Sequence, residues 1–255
     1  MAACYAVTLV TFKNILLDID MDWPKEYSKI SQEVRDAAYK LYEVEAITRS
    51  VLLPGQVKTA YYDGPLTTDY YLFLFTSREN PKLTGYFTCG LYAADGWFNL
   101  NGQKPEDIPS YNPLTGESSG SGKTRGSGTA KQPKAESNQR MKRLIRVLQT
   151  YISLTDDEKG KIKGESKTLE VLQKLIKASK DAPNTSNIRS VNTILYKALK
   201  DGRYGGAHTF TQLVDNYEVL HEVVFKKIAI DDFNQEIDDT RNKSATYQYI
   251  PLASF

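Results

Sequence analysis

Two hydrophobic periods divide this chain. Near its start apolar side chains fall on every second residue, and from about residue 138 onward they return every third or fourth. Ile15, Leu17, Ile19 and Met21 alternate with Leu16, Asp18, Asp20 and Asp22, which is strand spacing, so residues 4–22 are predicted as one or two strands. Asp22-Trp23-Pro24 should stop them, with Asp22 as a helix N-cap and Pro24 in a first turn, where its missing N–H costs nothing. Tyr27, Ile30, Val34, Ala37, Ala38 and Leu41 then recur at helical spacing and predict one helix over about 24–44.

From Ile47 to Leu100 the pattern becomes short β-rich runs: ITRSVLL, VKTAYY, DYYLFLFTS, LTGYFTCGLYAA and GWFNL. Asp63-Gly64, Asp95-Gly96 and Asn101-Gly102 supply the positive φ of tight turns, and Asp95-Gly96 between two aromatic runs predicts a hairpin. No alternation of strands with helices argues for a parallel sheet here. Residues 112–138 hold no aromatic and only Leu114 among the large aliphatics, too little to offset the entropy of ordering them. After Asn138 the period is helical. Met141, Leu144, Ile145, Leu148 and Ile152 make one helix face, with Arg140, Arg143 and Arg146 away from it. Thr155-Asp-Asp-Glu158 reads as a capping box opening a short helix that Gly164 ends. Further helices carry Leu169 to Ser179, Ile188 to Leu199 (stopping at Gly202) and Phe210 to Val224. IDDFNQEIDDTRN is an acidic tail, and TYQYIPLASF is predicted to dock as an edge strand.

These elements predict an α+β protein in three parts. Residues 1–111 form a Tyr-rich antiparallel sheet with one packed helix, 112–138 a flexible Gly/Ser/Lys linker, and 139–255 a helical bundle.

Composition adds little until charge is mapped by position. The net charge of +2 conceals −4 over residues 1–111, +2 over 112–138, +8 over 139–203 and −4 over 204–255. Clustered cations recruit polyanions, unless the acidic ends fold back to neutralise them. No run of about 18 apolar residues predicts a membrane span. The first residues lack the basic cluster of a leader. Cys4 and Cys89 are the only cysteines, which suits an intracellular setting, cytoplasmic rather than nuclear.

The stretch GESSGSGKT, Gly116–Thr124, resembles a phosphate-cradling P-loop. That pattern needs glycine five residues before Gly122-Lys123-Thr124, and Glu117 stands there, where a carboxylate would oppose the bound phosphates. No strand precedes it and Arg-Gly-Ser-Gly follows, so the stretch reads as tether. Asp18, Asp20 and Asp22 could group around a hard cation, but Trp23 and Lys29 occupy positions an EF-hand reserves for glycine and glutamate. They read as a solvated strand face; no metal and no cofactor is expected. Cys89, with His208 or His221, could form a thiolate–imidazole pair of a hydrolase, although a mid-strand cysteine lacks the helix N-terminus that would lower its pKa. Tyr86 and Tyr92 are predicted on one strand face, where aromatics of an open sheet could stack unpaired bases.

One further run, VNTILYKALKDGRY (Val191–Tyr204), resembles the recognition helix of winged-helix domains that bind Z-form nucleic acid. The resemblance implies that Asn192 and Tyr196 face phosphates. It spans about 14 residues; Ile188 stands where that family has lysine, and its wing prolines are missing, so no family is assigned.

The function expected from these features is non-catalytic binding of RNA or single strands, nucleocapsid-like and indifferent to sequence. Arg140, Lys142, Arg143 and Arg146, with Lys123, Arg125, Lys131 and Lys134, would contact the phosphate backbone. A Cys89–His208 hydrolase and a purely structural assembly protein are the alternatives, and self-association into a homo-oligomer fits the first and third readings.

Overall fold

The run YYLFLF is apolar at every position, and the strand it forms is covered on both sides. A computed structural model describes residues 19–119, 138–155, 165–202, 204–242 and 251–255. In it β5 (Tyr70–Ser77) turns Tyr71, Phe73 and Phe75 toward one face of the sheet and Tyr70, Leu72 and Leu74 toward the other. A strand buried on both faces loses the apolar–polar alternation of a half-exposed one.

Around it stand β1 (Ile19–Met21), β2 (Tyr42–Ser50), β6 (Leu83–Gly90), β7 (Ser110–Tyr111) and β8 (Ser118–Ser119), in the order β1-β6-β5-β2-β7-β8. A two-residue pair, β3 (Lys58–Thr59) with β4 (Pro65–Leu66), lies apart. The central pairs β2–β5 and β5–β6 are antiparallel, as expected. Toward the edges β1 runs parallel to β6, and β2 meets β7 in parallel at Arg49 and Ser110. Gly85 permits the first of these contacts, since a Cβ there would sit 2.1 Å from the Met21 carbonyl oxygen. The fold is α+β.

Two helices cover one face. The helix expected over 24–44 is shorter: Pro24 is extended, a single 3₁₀ turn follows, and Ser31 caps α1 (Gln32–Leu41) by accepting from Val34 N. Tyr42 then enters β2, because the alternating run YEVEAIT pairs against β5. The hairpin predicted at Asp95-Gly96 and the GWFNL strand are not formed. Residues Leu91–Asn101 are α2, which ends at Gly102 with φ +73°. Ala93, Ala94, Trp97 and Phe98 recur at helical spacing, and their burial beside Phe73 and Phe87 overrides the strand preference of the aromatics. Gly96 is there for packing: the Arg35 guanidinium of α1 lies where its Cβ would be.

The opposite face carries α3 (Gln139–Thr155), α4 (Glu165–Lys177), α5 (Thr185–Leu199), α6 (Phe210–His221) and α7 (Asp231–Asn242). Leu144 and Leu148 of α3, Leu172 of α4 and Leu195 of α5 share one core with Ile47 and Leu72 of the sheet. Polar side chains cross the same seam: Ser50 Oγ lies 2.8 Å from Ser153 Oγ, and Gln149 Nε2 donates to Thr48 Oγ1 at 3.0 Å. Thr155 Oγ1 donates back to Tyr151 O, inside α3, and the helix expected after it falls outside the described residues. The acidic tail is helical instead, because Phe233 and Ile237, four apart, are buried. Pro251–Phe255 take no strand conformation.

Of the stretch expected as linker, 112–119 is a turn leading into β8. Asn112 Oδ1 accepts from Leu114 N, and Gly116 N donates to Asn112 O at 2.8 Å. Beyond its parallel contact with β7, the outer edge of β2 is closed by side-chain amides. Asn101 Nδ2 donates to Val44 O, while Gln103 accepts from Ala46 N at 2.7 Å and donates to Ala46 O at 3.0 Å.

Candidate nucleic-acid interface

Helix α3 places its cations in its first two turns, because from Leu144 onward nearly every side chain is buried. Arg140 Nε donates to Asp232 Oδ2 at 2.8 Å and its Nη2 to Glu236 Oε2 at 2.7 Å. Arg143 grips the same Asp232 with both terminal nitrogens, at 2.8 and 2.9 Å, and reaches Ala229 O. Both guanidinium carbons lie 5.2 Å from the centre of the buried Phe233 ring. Helix α7 therefore answers two of the four phosphate ligands expected on α3 from within the protein. Burial alone would raise the Asp232 pKa, but the hydrogen bonds and charges of Arg143 and Arg140 outweigh it and hold the carboxyl below its ordinary value.

A depressed carboxyl pKa stabilises the fold fully above the unfolded value, about pH 4, and that stabilisation disappears as pH falls through the folded value. Asp232 is 40 % exposed and therefore screened. Asp232→Asn is expected to cost only about 1 kcal/mol at neutral pH. In urea titrations the gap from wild type should narrow as pH falls below the ordinary carboxylate value and close once Asp232 is protonated in the folded protein too.

Arg146 takes a third role. Its guanidinium stacks 5.3 Å from the Tyr111 ring centre and its Nη2 donates to Ser118 Oγ, fastening α3 to β7 and β8. Lys142 is half-buried and meets no carboxylate among the described residues. Lys123, Arg125, Lys131 and Lys134 lie outside the described residues.

The structure adds cations that the sequence pattern left in the background. Asn138 N donates to Ser179 O at 3.0 Å, which brings the start of α3 beside the end of α4. At that end Lys174 and Lys180 are exposed and make no carboxylate contact among the described residues, while Lys177 stands 4.0 Å from Glu45. Their spacing, every third residue opposite Leu169, Leu172 and Leu175, was the available signal. Next to them a cleft of about 320 Å³ opens between β2, the turn after α2 and α4, with Gln103, Lys104, Gln173 and Lys177 in its wall.

The other candidates are placed differently from expectation. Cys89 is fully buried under α2, and burial pushes its thiol pKa far up, Arg35 pulling weakly the other way. Such a thiol is not a nucleophile. His208 belongs to the exposed loop before α6, whose buried side chains share the opposite core, so the two are not brought together. His221 packs on the Tyr217 ring, 4.2 Å between centres. Tyr92 is 96 % exposed on α2, whereas Tyr86 packs against the helical core, so they share no strand face. With helices on both sides, the sheet offers no open stacking platform among the described residues. Asn192 is completely buried, donating to Leu252 O and accepting from Ser254 N, so it does not face phosphates. Asp18 and the Asp20 side chain are outside the described residues, and Asp22 has a partner of its own. Among the described residues no three metal-binding side chains cluster, and no helix is long and apolar enough to cross a membrane.

No protein family, no curated protein and no solved structure matches the chain.

Proposed function

We propose that the protein is a non-catalytic nucleic-acid-binding protein that holds the phosphate backbone of RNA or another single strand through ammonium groups where α3 begins and α4 ends. One observation carries this reading. After Arg140 and Arg143 are matched by α7, Lys142 on α3, Lys174 on α4 and Lys180 in the turn after α4 still lack an internal carboxylate among the described residues. The chain enters α3 directly from the stretch that contributes Lys123, Arg125, Lys131 and Lys134. Lysine is a point charge on a flexible stem, suited to tracking a backbone and poorly suited to reading base edges. Indifference to sequence follows, as packaging in a nucleocapsid-like particle requires. Two cysteines, one of them a buried thiol, agree with action inside the cell, in the cytoplasm rather than the nucleus.

The test is filter binding of a labelled single-stranded RNA across a salt series. Wild type should lose affinity log-linearly with salt. Changing Lys142, Lys174 and Lys180 together to Gln should weaken binding about 10- to 100-fold at low salt and flatten the slope by about two units. Arg140→Gln is the wrong variant, because it leaves Asp232 and Glu236 half-paired and perturbs the fold. Absence of salt-dependent binding by wild type, or an unchanged triple variant, removes the proposal.

A further inference from the structure

On the sheet face that α1 and α2 cover, a buried cation lacks a counter-charge. Arg35 reaches from α1 against Gly96 of α2 and is only 6 % exposed. Its Nη2 donates to Ala93 O at 3.2 Å, and its Nε has no acceptor. It meets no carboxylate among the described residues. A guanidinium cannot shed its proton to escape burial, as a lysine can. Cys89 is no substitute counter-charge, since burial holds its thiol neutral. A buried charge left uncompensated is among the costliest features a core can hold.

Two further donors share the place. Tyr61, in the turn between β3 and β4, is 8 % exposed, and Trp97 of α2 is completely buried. Neither Tyr61 Oη nor Trp97 Nε1 has a hydrogen-bond partner among the described residues. Their ring centres lie 6.1 Å apart. Burial raises the Tyr61 pKa, and the approach of the Arg35 guanidinium and the Trp97 indole to its hydroxyl offsets part of that rise. Guanidinium, phenol and indole therefore gather at one point, where donors outnumber acceptors. A water there would accept from two of them, but it brings two hydrogens of its own and no charge. An anion only accepts, and it cancels the charge of Arg35.

We infer that the seam between α1 and α2 is a binding site for one small monovalent anion, a halide of the chloride class, held by Arg35 Nε, Tyr61 Oη and Trp97 Nε1. One negative charge matches the single guanidinium. A chloride ion is no larger than a methyl group, so small side-chain shifts admit it, whereas a phosphate ester would have to displace the packed rings. Trp23, Tyr61 and Trp97 meet edge to face around the place, and the positive edges of aromatic rings favour an anion. Such apolar surroundings select against strongly hydrated fluoride or sulfate, whose water is costlier to remove. The site lies on the opposite side of the sheet from the lysines of α3 and α4, so the inference is independent of the nucleic-acid reading.

Titrating sodium chloride against sodium gluconate at constant ionic strength, with nitrogen-15 spectra of the full chain, tests it. The two tryptophans supply signal and control together: Trp97 Nε1 lacks a partner, while Trp23 Nε1 donates to Tyr27 O at 3.3 Å. The Trp97 indole resonance should shift and saturate, half-way at about 10 mM chloride, with the thermal midpoint rising over the same range. The Trp23 resonance should move much less. Bromide should replace chloride, and fluoride should not. Arg35→Met should raise the half-saturating concentration at least about tenfold. Tyr61→Phe keeps the ring and should raise it about 3- to 10-fold. Should Arg35→Met fail to fold, Tyr61→Phe decides. A Trp97 resonance that stays put or never saturates overturns the inference, and so does a saturable shift that Tyr61→Phe leaves unchanged.

Discussion

Leu148→Ala is expected to lower stability by about 3–5 kcal/mol, the largest effect of any single truncation considered for this chain. Leu148 is fully buried at the middle of α3, in one core with Ile47 and Leu72 of the sheet and Leu172 and Leu195 of the neighbouring helices. Removing three carbons there leaves a cavity walled by regular elements that have little freedom to collapse into it. The location of the tryptophans makes the measurement informative. Trp23 and Trp97, the latter on α2, both pack on the other face of the sheet. Their fluorescence in a urea titration reports the sheet, while far-ultraviolet circular dichroism reports mainly the helices. If sheet and helices unfold as one unit, both midpoints move together in the variant. A circular-dichroism midpoint that shifts while the tryptophan midpoint stays put would show two units, and the shared core would count for little energetically.

Asn192→Ala should cost about 2–4 kcal/mol and release the last residues. The Asn192 side chain bridges α5 to both Leu252 O and Ser254 N, at 3.1 and 2.8 Å. Its removal leaves the buried Ser254 N–H unpaired, although Leu252 O keeps the Ser254 hydroxyl, and a buried donor left alone costs more than the mean worth of the bond it loses. Phe255, which packs at 5.3 Å from Phe233, should loosen in turn. Amide hydrogen exchange at Ser254 should quicken to nearly the global unfolding limit or beyond it, while the Leu72 amide in β5 changes only by the overall loss of stability. Unchanged protection at Ser254 would assign the anchoring to Phe255 and to the Phe210 N–H that donates to Ser254 O.

Where the sequence revealed the structure, the reason was a period with no competitor. The apolar run of β5 and the i, i+3, i+4 rows of α3, α4, α5 and α6 each point to one element only, and each formed close to its expected limits. Where it misled, two signals coincided. In LYAADGWFNLN the aromatics favour strand and Asp-Gly favours a turn, yet Ala93, Ala94, Trp97 and Phe98 also mark a helix face, and packing on Phe73 and Phe87 decided between them. Helix α7 was hidden differently. Two buried residues in twelve, Phe233 and Ile237, are too faint a stripe to stand out against five acids. The candidate site suffered from the same blindness to long-range pairing. The contrast between a basic middle and acidic ends was visible, but only folding shows that Asp232 and Glu236 reach back some ninety residues to Arg140 and Arg143. Their arginines therefore looked available, and the lysines of α4, spread among ordinary helix residues, did not.

The amide side chains along β2 have a consequence for how this protein can join others. Gln103 presents Ala46 with both a donor and an acceptor, as a neighbouring backbone would, and Asn101 occupies the carbonyl of Val44. An incoming extended peptide would have to evict both before it could zip onto the sheet there. That border is shut against templated growth, which leaves side-chain surfaces, not main-chain ladders, as its route to higher-order assembly along that edge.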